Sequence, residues 1–203
     1  MTTPATTPTT STRLRIDFLF LDLETCTRCR GTGRNLESAL ESARELLTAT
    51  GTEVEVNKVL LDTAELAREL RFESSPTIRV NGRDIALELR ESSCGAEACT
   101  DGCGESIACR VWVYGGREHT EPPVAMILDA ILRAVYGGAS VERERDAEPF
   151  ELPENLERFY AGKLLGEAAQ ANCCSPEEQG SCCDAEDKAE CCGAATGHSC
   201  GCR

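Results

Sequence analysis

Apolar residues crowd positions 14–22, LRIDFLFLD, and thin out on either side. A short run of this kind, rich in Leu, Ile and Phe, predicts a buried strand. Between 35 and 50 the period lengthens. Leu36, Leu40, Ala43 and Leu47 recur at helical spacing, Asn35 stands where an N-cap belongs, and Gly51 stands where the helix would stop. Residues 53–62, EVEVNKVLLD, predict a second strand, and 63–70 a short helix opened by Asp62 or Thr63. A Pro-led strand, an Asn81-Gly82 turn and a returning strand make a hairpin of 75–89. Residues 91–106 read as a loop and 107–116 as another strand. Residues 122–138 read as a helix with proline at its start and glycine past its end. After a charged linker, 139–150, one more helix is predicted over 152–171, lying outside the main fold.

The order β-α-β-α-β-β, a further strand and a helix predicts an α/β sandwich. Its first two strands flank a helix and are expected to be parallel, joined by a right-handed crossover. Four regions follow. They are a Thr/Pro-rich disordered arm at 1–12, a folded domain at 13–138, a linker and extra helix at 139–171, and a cysteine-rich tail at 172–203.

Charge narrows the partners. With 21 basic and 35 acidic residues the formal net charge is −14, which argues against nucleic acid and against an anionic membrane surface. No apolar run approaches the roughly 18 residues of a membrane span. The first residues lack the basic start and apolar stretch of a secretory signal. The expected location is the cytoplasm, where thiols stay reduced. Fourteen cysteines there point to metal ligands or redox groups before structural disulfides.

The first pair is Cys26 and Cys29, a Cys-x-x-Cys between the first strand and the long helix. If the helix begins near the pair, its N–H groups stabilise a thiolate at Cys26. Arg28 and Arg30 add a cationic field, and Glu24 opposes it. The segment 30–34, RGTGR, is the alternative: it delays the helix and leaves the pair on a glycine-hinged loop. As a dithiol, Cys26 attacks and Cys29 resolves the mixed disulfide; as ligands, the pair supplies half of a structural zinc site.

Cys26-Thr27-Arg28-Cys29 after a first strand, with Ser75-Pro76-Thr77 leading a hairpin strand, resembles the thioredoxin-like superfamily. The likeness is closer to an uncharacterised thioredoxin-like family of prokaryotic proteins. It rests on SPTIRVNG, then ESSCG with a cysteine-rich loop, then CRVWVYGG and a Pro-started helix, over roughly 13–137. The resemblance implies a thioredoxin-like sandwich, a cis Pro76 facing the dithiol, and a Ser75 backbone lining a substrate groove. The chain departs from ordinary thioredoxins in its cysteine-rich insertion and in having no Trp before the dithiol, which points away from a general disulfide reductase.

Cys94, Cys99, Cys103 and Cys109 follow in sixteen residues. Four thiols so close can surround zinc, hold an iron–sulfur cluster or pair as redox disulfides, and Cys109, on a strand, can instead point into the core. The tail carries Cys173, Cys174, Cys182, Cys183, Cys191, Cys192, Cys200 and Cys202, with a nine-residue step between groups. That step gathers the thiols on neither one helix face nor one strand face. Adjacent cysteines have Cα atoms about 3.8 Å apart, too close for the roughly 4.4–6.8 Å of ordinary disulfides. They suit one soft ion: zinc, copper(I), arsenic(III) or mercury(II). His119 and His198 read as bystanders, and a disordered tail acting as a redox buffer is the plainer alternative.

The expected function is therefore soft metal or metalloid binding with thiol transfer, in resistance to arsenic, mercury or a related ion. The rivals are a thiol–disulfide oxidoreductase using Cys26 and Cys29 with a redox partner protein, and an iron–sulfur electron carrier on the middle cysteines.

Overall fold

The computed structural model describes residues 12–24, 26–93, 107–137 and 149–171. It is a mixed α/β structure. Strand β1 (Thr12–Phe20) leads into helix α1 (Thr27–Ala49), strand β2 (Thr52–Leu60) and helix α2 (Ala64–Glu69). Strands β3 (Thr77–Val80), β4 (Arg83–Asp84), β5 (Arg90–Ser93), β6 (Ala108–Tyr114) and β7 (Arg117–His119) follow, then helices α3 (Val124–Tyr136) and α4 (Glu154–Ala171).

One sheet has the order β2-β1-β3-β4 and a second the order β5-β6-β7. β1 and β2 are parallel, as expected for strands joined by a helix. β3 runs antiparallel to β1, so Ile16 lies between Val56 of β2 and Val80 of β3. Asn81 and Gly82 both have positive φ, 49° and 76°, the conformation of a type I′ turn between β3 and β4. Asn81 also extends the β1–β3 pairing: its N–H donates to Arg15 O at 2.7 Å, and its side-chain oxygen accepts from Arg15 N at 2.9 Å.

Leu14, Ile16, Phe18 and Phe20 share one face of β1 by the two-residue period, and all are buried. Leu19 and Leu21 point the other way and are buried too, so the C-terminal half of β1 is covered on both sides. α1 buries Leu36, Ala39, Ala43 and Leu47, and α3 buries Met126, Ile127 and Ile131. A Cβ at Gly33 would meet the Phe18 ring at 3.4 Å, an ordinary van der Waals distance, so this turn of α1 lies directly on β1.

Three expectations change. α1 begins at Thr27, and the glycines of RGTGR are helical. Burial of that turn on β1 outweighs the roughly 1 kcal/mol helix cost of each glycine. Asn35 is thus no N-cap; its side-chain nitrogen donates to Pro122 O at 2.9 Å, linking α1 to the approach of α3. Second, residues 91–93 of the expected loop belong to the strand β5, and Gly115-Gly116 turns β6 into the short β7. Third, α4 is not outside the fold. Leu152, Leu156 and Tyr160 join the core, Tyr160 Oη donates to Leu61 O at 3.1 Å, and Asn155 Nδ2 donates to Ala108 O at 3.3 Å. No helix among the described residues is long and apolar enough to cross a membrane.

The packing of α4 sets a stability prediction. Leu156→Ala lowers the unfolding free energy by about 2–5 kcal/mol, because a fully buried leucine leaves a cavity. Urea unfolding followed by circular dichroism measures it. A change below about 0.5 kcal/mol would show that α4 contributes nothing to the core.

Candidate functional site: a buried dithiol at a helix N-terminus

Cys26 is the N-cap of α1. Its backbone is extended, φ −69° and ψ 110°, and its sulfur accepts the backbone N–H of Cys29 at 3.4 Å. A sulfur in this position faces the unpaired N–H groups and the positive end of the helix dipole, which favour thiolate over thiol. The helix therefore begins at the pair, and the delayed start that RGTGR suggested does not occur.

Cys29 is one turn into the helix. Its sulfur lies 3.5 Å from Ser75 Oγ, and that hydroxyl oxygen accepts Leu21 N–H at 3.3 Å. The Ser75–Pro76 peptide bond is cis. Strand β1, the first turn of α1 and the residues leading into β3 thus meet around one sulfur. The Cys29 pKa is raised well above the ordinary thiol value. The hydrogen bond to the Cys26 sulfur is the largest cause and burial the next; the Ser75 hydroxyl and the Asp22 backbone oppose them. The two sulfurs are therefore unequal: Cys26 has helix donors to share, and Cys29 keeps its proton.

Both are thiols, and both are enclosed, with side chains 0% and 1% exposed. Arg28, between them, is 9% exposed. Nη2 donates to Ser93 O at 2.8 Å and Ser92 Oγ at 3.1 Å. Nη1 donates to Cys109 O at 3.3 Å, Ser92 O at 3.4 Å and Arg110 O at 3.5 Å. Arg28 also has a structural role. Its guanidinium pins the dithiol turn to β5 and β6. Arg30 is exposed.

Among the other candidates, Pro76 is buried directly after the residue that touches Cys29. The carbonyl of Ser75 accepts Arg110 N–H at 2.8 Å, which ties the residue before Pro76 to β6. Cys109 is buried on β6, with its carbonyl on Arg28 and its side chain in the core cluster. His119 ends β7. Cys94, Cys99, Cys103, Cys173, Cys174, Cys182, Cys183, Cys191, Cys192, Cys200 and Cys202, together with His198, lie outside the described residues. Among those described, no three His, Cys, Asp or Glu side chains gather as a metal ligand set. The Ser75 hydroxyl, the Leu21 N–H and the Arg28 clamp were not legible as parts of the site. A serine before proline and an arginine inside a Cys-x-x-Cys were the available signals.

Fold and site together define a mixed α/β protein with an enclosed dithiol at a helix N-terminus. The chain belongs to the family described as Domain of unknown function (DUF2703), whose model matches residues 14–131, more than half of its length. It is similar to an uncharacterized protein of Archaeoglobus fulgidus, 35% identical over 96 residues, which is 45% of this chain and 64% of that protein. The chain thus spans slightly less than two thirds of that relative. No solved structure matches it.

Two predictions follow from the geometry. Arg28→Met removes the guanidinium, leaves the β5 and β6 carbonyls it bonds without their donor, and lowers stability by about 3 kcal/mol. It also speeds alkylation of Cys26 by iodoacetamide, read by peptide mass spectrometry. An unchanged alkylation rate would show that Arg28 does not control access.

The second concerns pH. A thiol whose folded pKa is raised adds stability below the unfolded thiol pKa of about 8.5 and loses it as pH climbs toward the folded value. Above about pH 8.5 the Cys29 thiol therefore costs the reduced wild type up to about 1.4 kcal/mol per pH unit relative to Cys29→Ser. Parallel urea midpoints for the two proteins from pH 7 to 10 would contradict this.

Proposed function

We propose that the chain is a thioredoxin-like dithiol protein that performs thiol–disulfide exchange through Cys26 and Cys29. The observation that carries this reading is the N-cap position of Cys26 with the Cys29 thiol hydrogen-bonded to it. The β2-β1-β3-β4 order, and Ser75-Pro76 beside Cys29, support the thioredoxin-like assignment.

The exchange balances as follows. The Cys26 thiolate attacks one sulfur of a disulfide R–S–S–R′, forms Cys26–S–S–R and releases R′S⁻. Once the Cys26 charge is gone, the first cause of the raised Cys29 pKa is gone with it. Cys29 then gives up its proton, attacks the Cys26 sulfur and releases RS⁻. The substrate disulfide gains two electrons and takes up two protons, and the protein dithiol becomes a disulfide. Enclosure of both sulfurs favours small disulfides over disulfides in folded proteins.

A second reading joins this one. The paired tail cysteines at 173–202 favour capture of a soft ion, zinc, copper(I), arsenic(III) or mercury(II), as cargo. Cys26 and Cys29 then act as a two-sulfur transfer point, in a reducing compartment such as the cytoplasm.

Cys26→Ser lowers the rate of disulfide reduction by about 100-fold or more, and Cys29→Ser traps a mixed disulfide on Cys26 that mass spectrometry locates. Full activity in Cys26→Ser would remove the exchange reading. Native mass spectrometry of the reduced chain with each ion, with and without 172–203, tests the cargo reading. Uptake that survives truncation, or no tight uptake, would remove the tail from it.

A further inference from the structure

Arg110 and Trp112 lie on the same face of β6 by the two-residue period, and both are buried, Arg110 at 1% exposure. Arg110 Cζ lies 5.4 Å from the centre of the Trp112 ring. Its Nη1 meets Asp84 Oδ2 at 2.9 Å. Among the described residues its Nε and Nη2 have no hydrogen-bond partner, and neither does Trp112 Nε1. The indole nitrogen belongs to the ring over which the guanidinium sits, so these N–H groups share one buried neighbourhood.

All three nitrogens are donors only. Buried polar groups in native proteins find partners, so this donor cluster calls for an acceptor. Asp84 does not supply the remaining bonds. It is engaged by Arg110 Nη1, its charge is shared with Arg79, and its second oxygen accepts Ala86 N–H at 2.9 Å. Glu73 adds a half-buried carboxylate beside Arg79 and Asp84 without bonding Arg110. The Arg79 guanidinium is committed to Leu70 O and Arg71 O. A water accepting from Arg110 or Trp112 would have to place its own two hydrogens on further acceptors. An anion accepts without donating. A guanidinium edge is also the side chain best shaped to bind two oxygens at once.

We infer that Arg110 and Trp112 form a binding site for a small oxygen anion, either a carboxylate or a tetrahedral oxyanion. The site is separate from the dithiol side chains and does not depend on the exchange reading. It touches the dithiol only through the backbone, since the Arg110 carbonyl accepts from Arg28 and its N–H donates to Ser75 O.

Trp112 is the only tryptophan of the chain, so its emission reports this corner alone. The full-length reduced protein is equilibrated overnight with acetate, sulfate or phosphate, with chloride holding the ionic strength constant. The expected result is a saturable change in Trp112 emission with at least one anion. The thermal midpoint rises with it by on the order of 5 °C at a hundredfold excess over Kd. A response to acetate alone names a carboxylate, and one to sulfate or phosphate names a tetrahedral oxyanion.

Arg110→Met abolishes the response, and Arg110→Lys, which keeps the charge but loses the fork, weakens it by about 10-fold. If the Met variant does not fold, the Lys variant decides. Either of two results overturns the proposal: no saturable response to any anion in the wild type, which assigns the donors to water, or an undiminished response in the Arg110 variants.

Discussion

A guanidinium cannot shed its charge, so one taken from water must be met by acceptors on every side. Arg28 meets them on β5 and β6, five contacts from one side chain to carbonyls and a hydroxyl on two strands. This constraint ties the structure together. Arg28 belongs to the first turn of α1, which packs on the four-stranded sheet, and its acceptors belong to the other sheet. The Arg110 N–H to Ser75 carbonyl bond and the Arg110–Asp84 ion pair repeat the junction. The dithiol lies at this junction because Arg28 lies between its two cysteines.

Two opposing effects act on the sulfurs there. Burial favours the neutral thiol, and helix N-terminal donors favour the thiolate. Cys26, at the cap, receives the helix N–H; the Cys29 thiol, one turn on, donates a hydrogen bond to the Cys26 sulfur and keeps its proton. The asymmetry between the two sulfurs follows from their places on one helix turn, with no need for a third ionised side chain. Ser75 then couples Cys29 to the end of β1 through the Leu21 N–H, so the cysteine pair is braced from three sides.

β6 carries the other unusual burial. Cys109 and Val111 lie on one of its faces, Arg110 and Trp112 on the other. Placing a cation and an indole N–H in the interior beside Asp84 is costly unless their hydrogens are matched, and only part of that demand is met within the described residues. Two arginines in this small structure are therefore internal, one satisfied by backbone carbonyls and one still holding donors toward the interior.

The elements that rest on local information were legible in the chain. The apolar run of β1, the Asn81-Gly82 turn and the Pro-to-Gly frame of α3 each depend on residues within a few positions of one another. The dithiol motif and its proline were visible for the same reason. The start of α1 was not, because two glycines argue against helix locally and only the burial of that turn reverses it. β5 was hidden because Arg-Glu-Ser-Ser has no apolar alternation and becomes a strand by pairing with β6. α4 joined the core through Leu156 and Tyr160, contacts whose partners lie far away in sequence. The burial of Arg28 and Arg110 was the least legible feature. A sequence specifies a charge, but only the assembled backbone supplies the carbonyls that let the charge leave water. The sequence by itself determined where the thiols are and which strands are apolar; the tertiary structure decided which sulfur caps a helix, which keeps its proton, and which arginines turn inward.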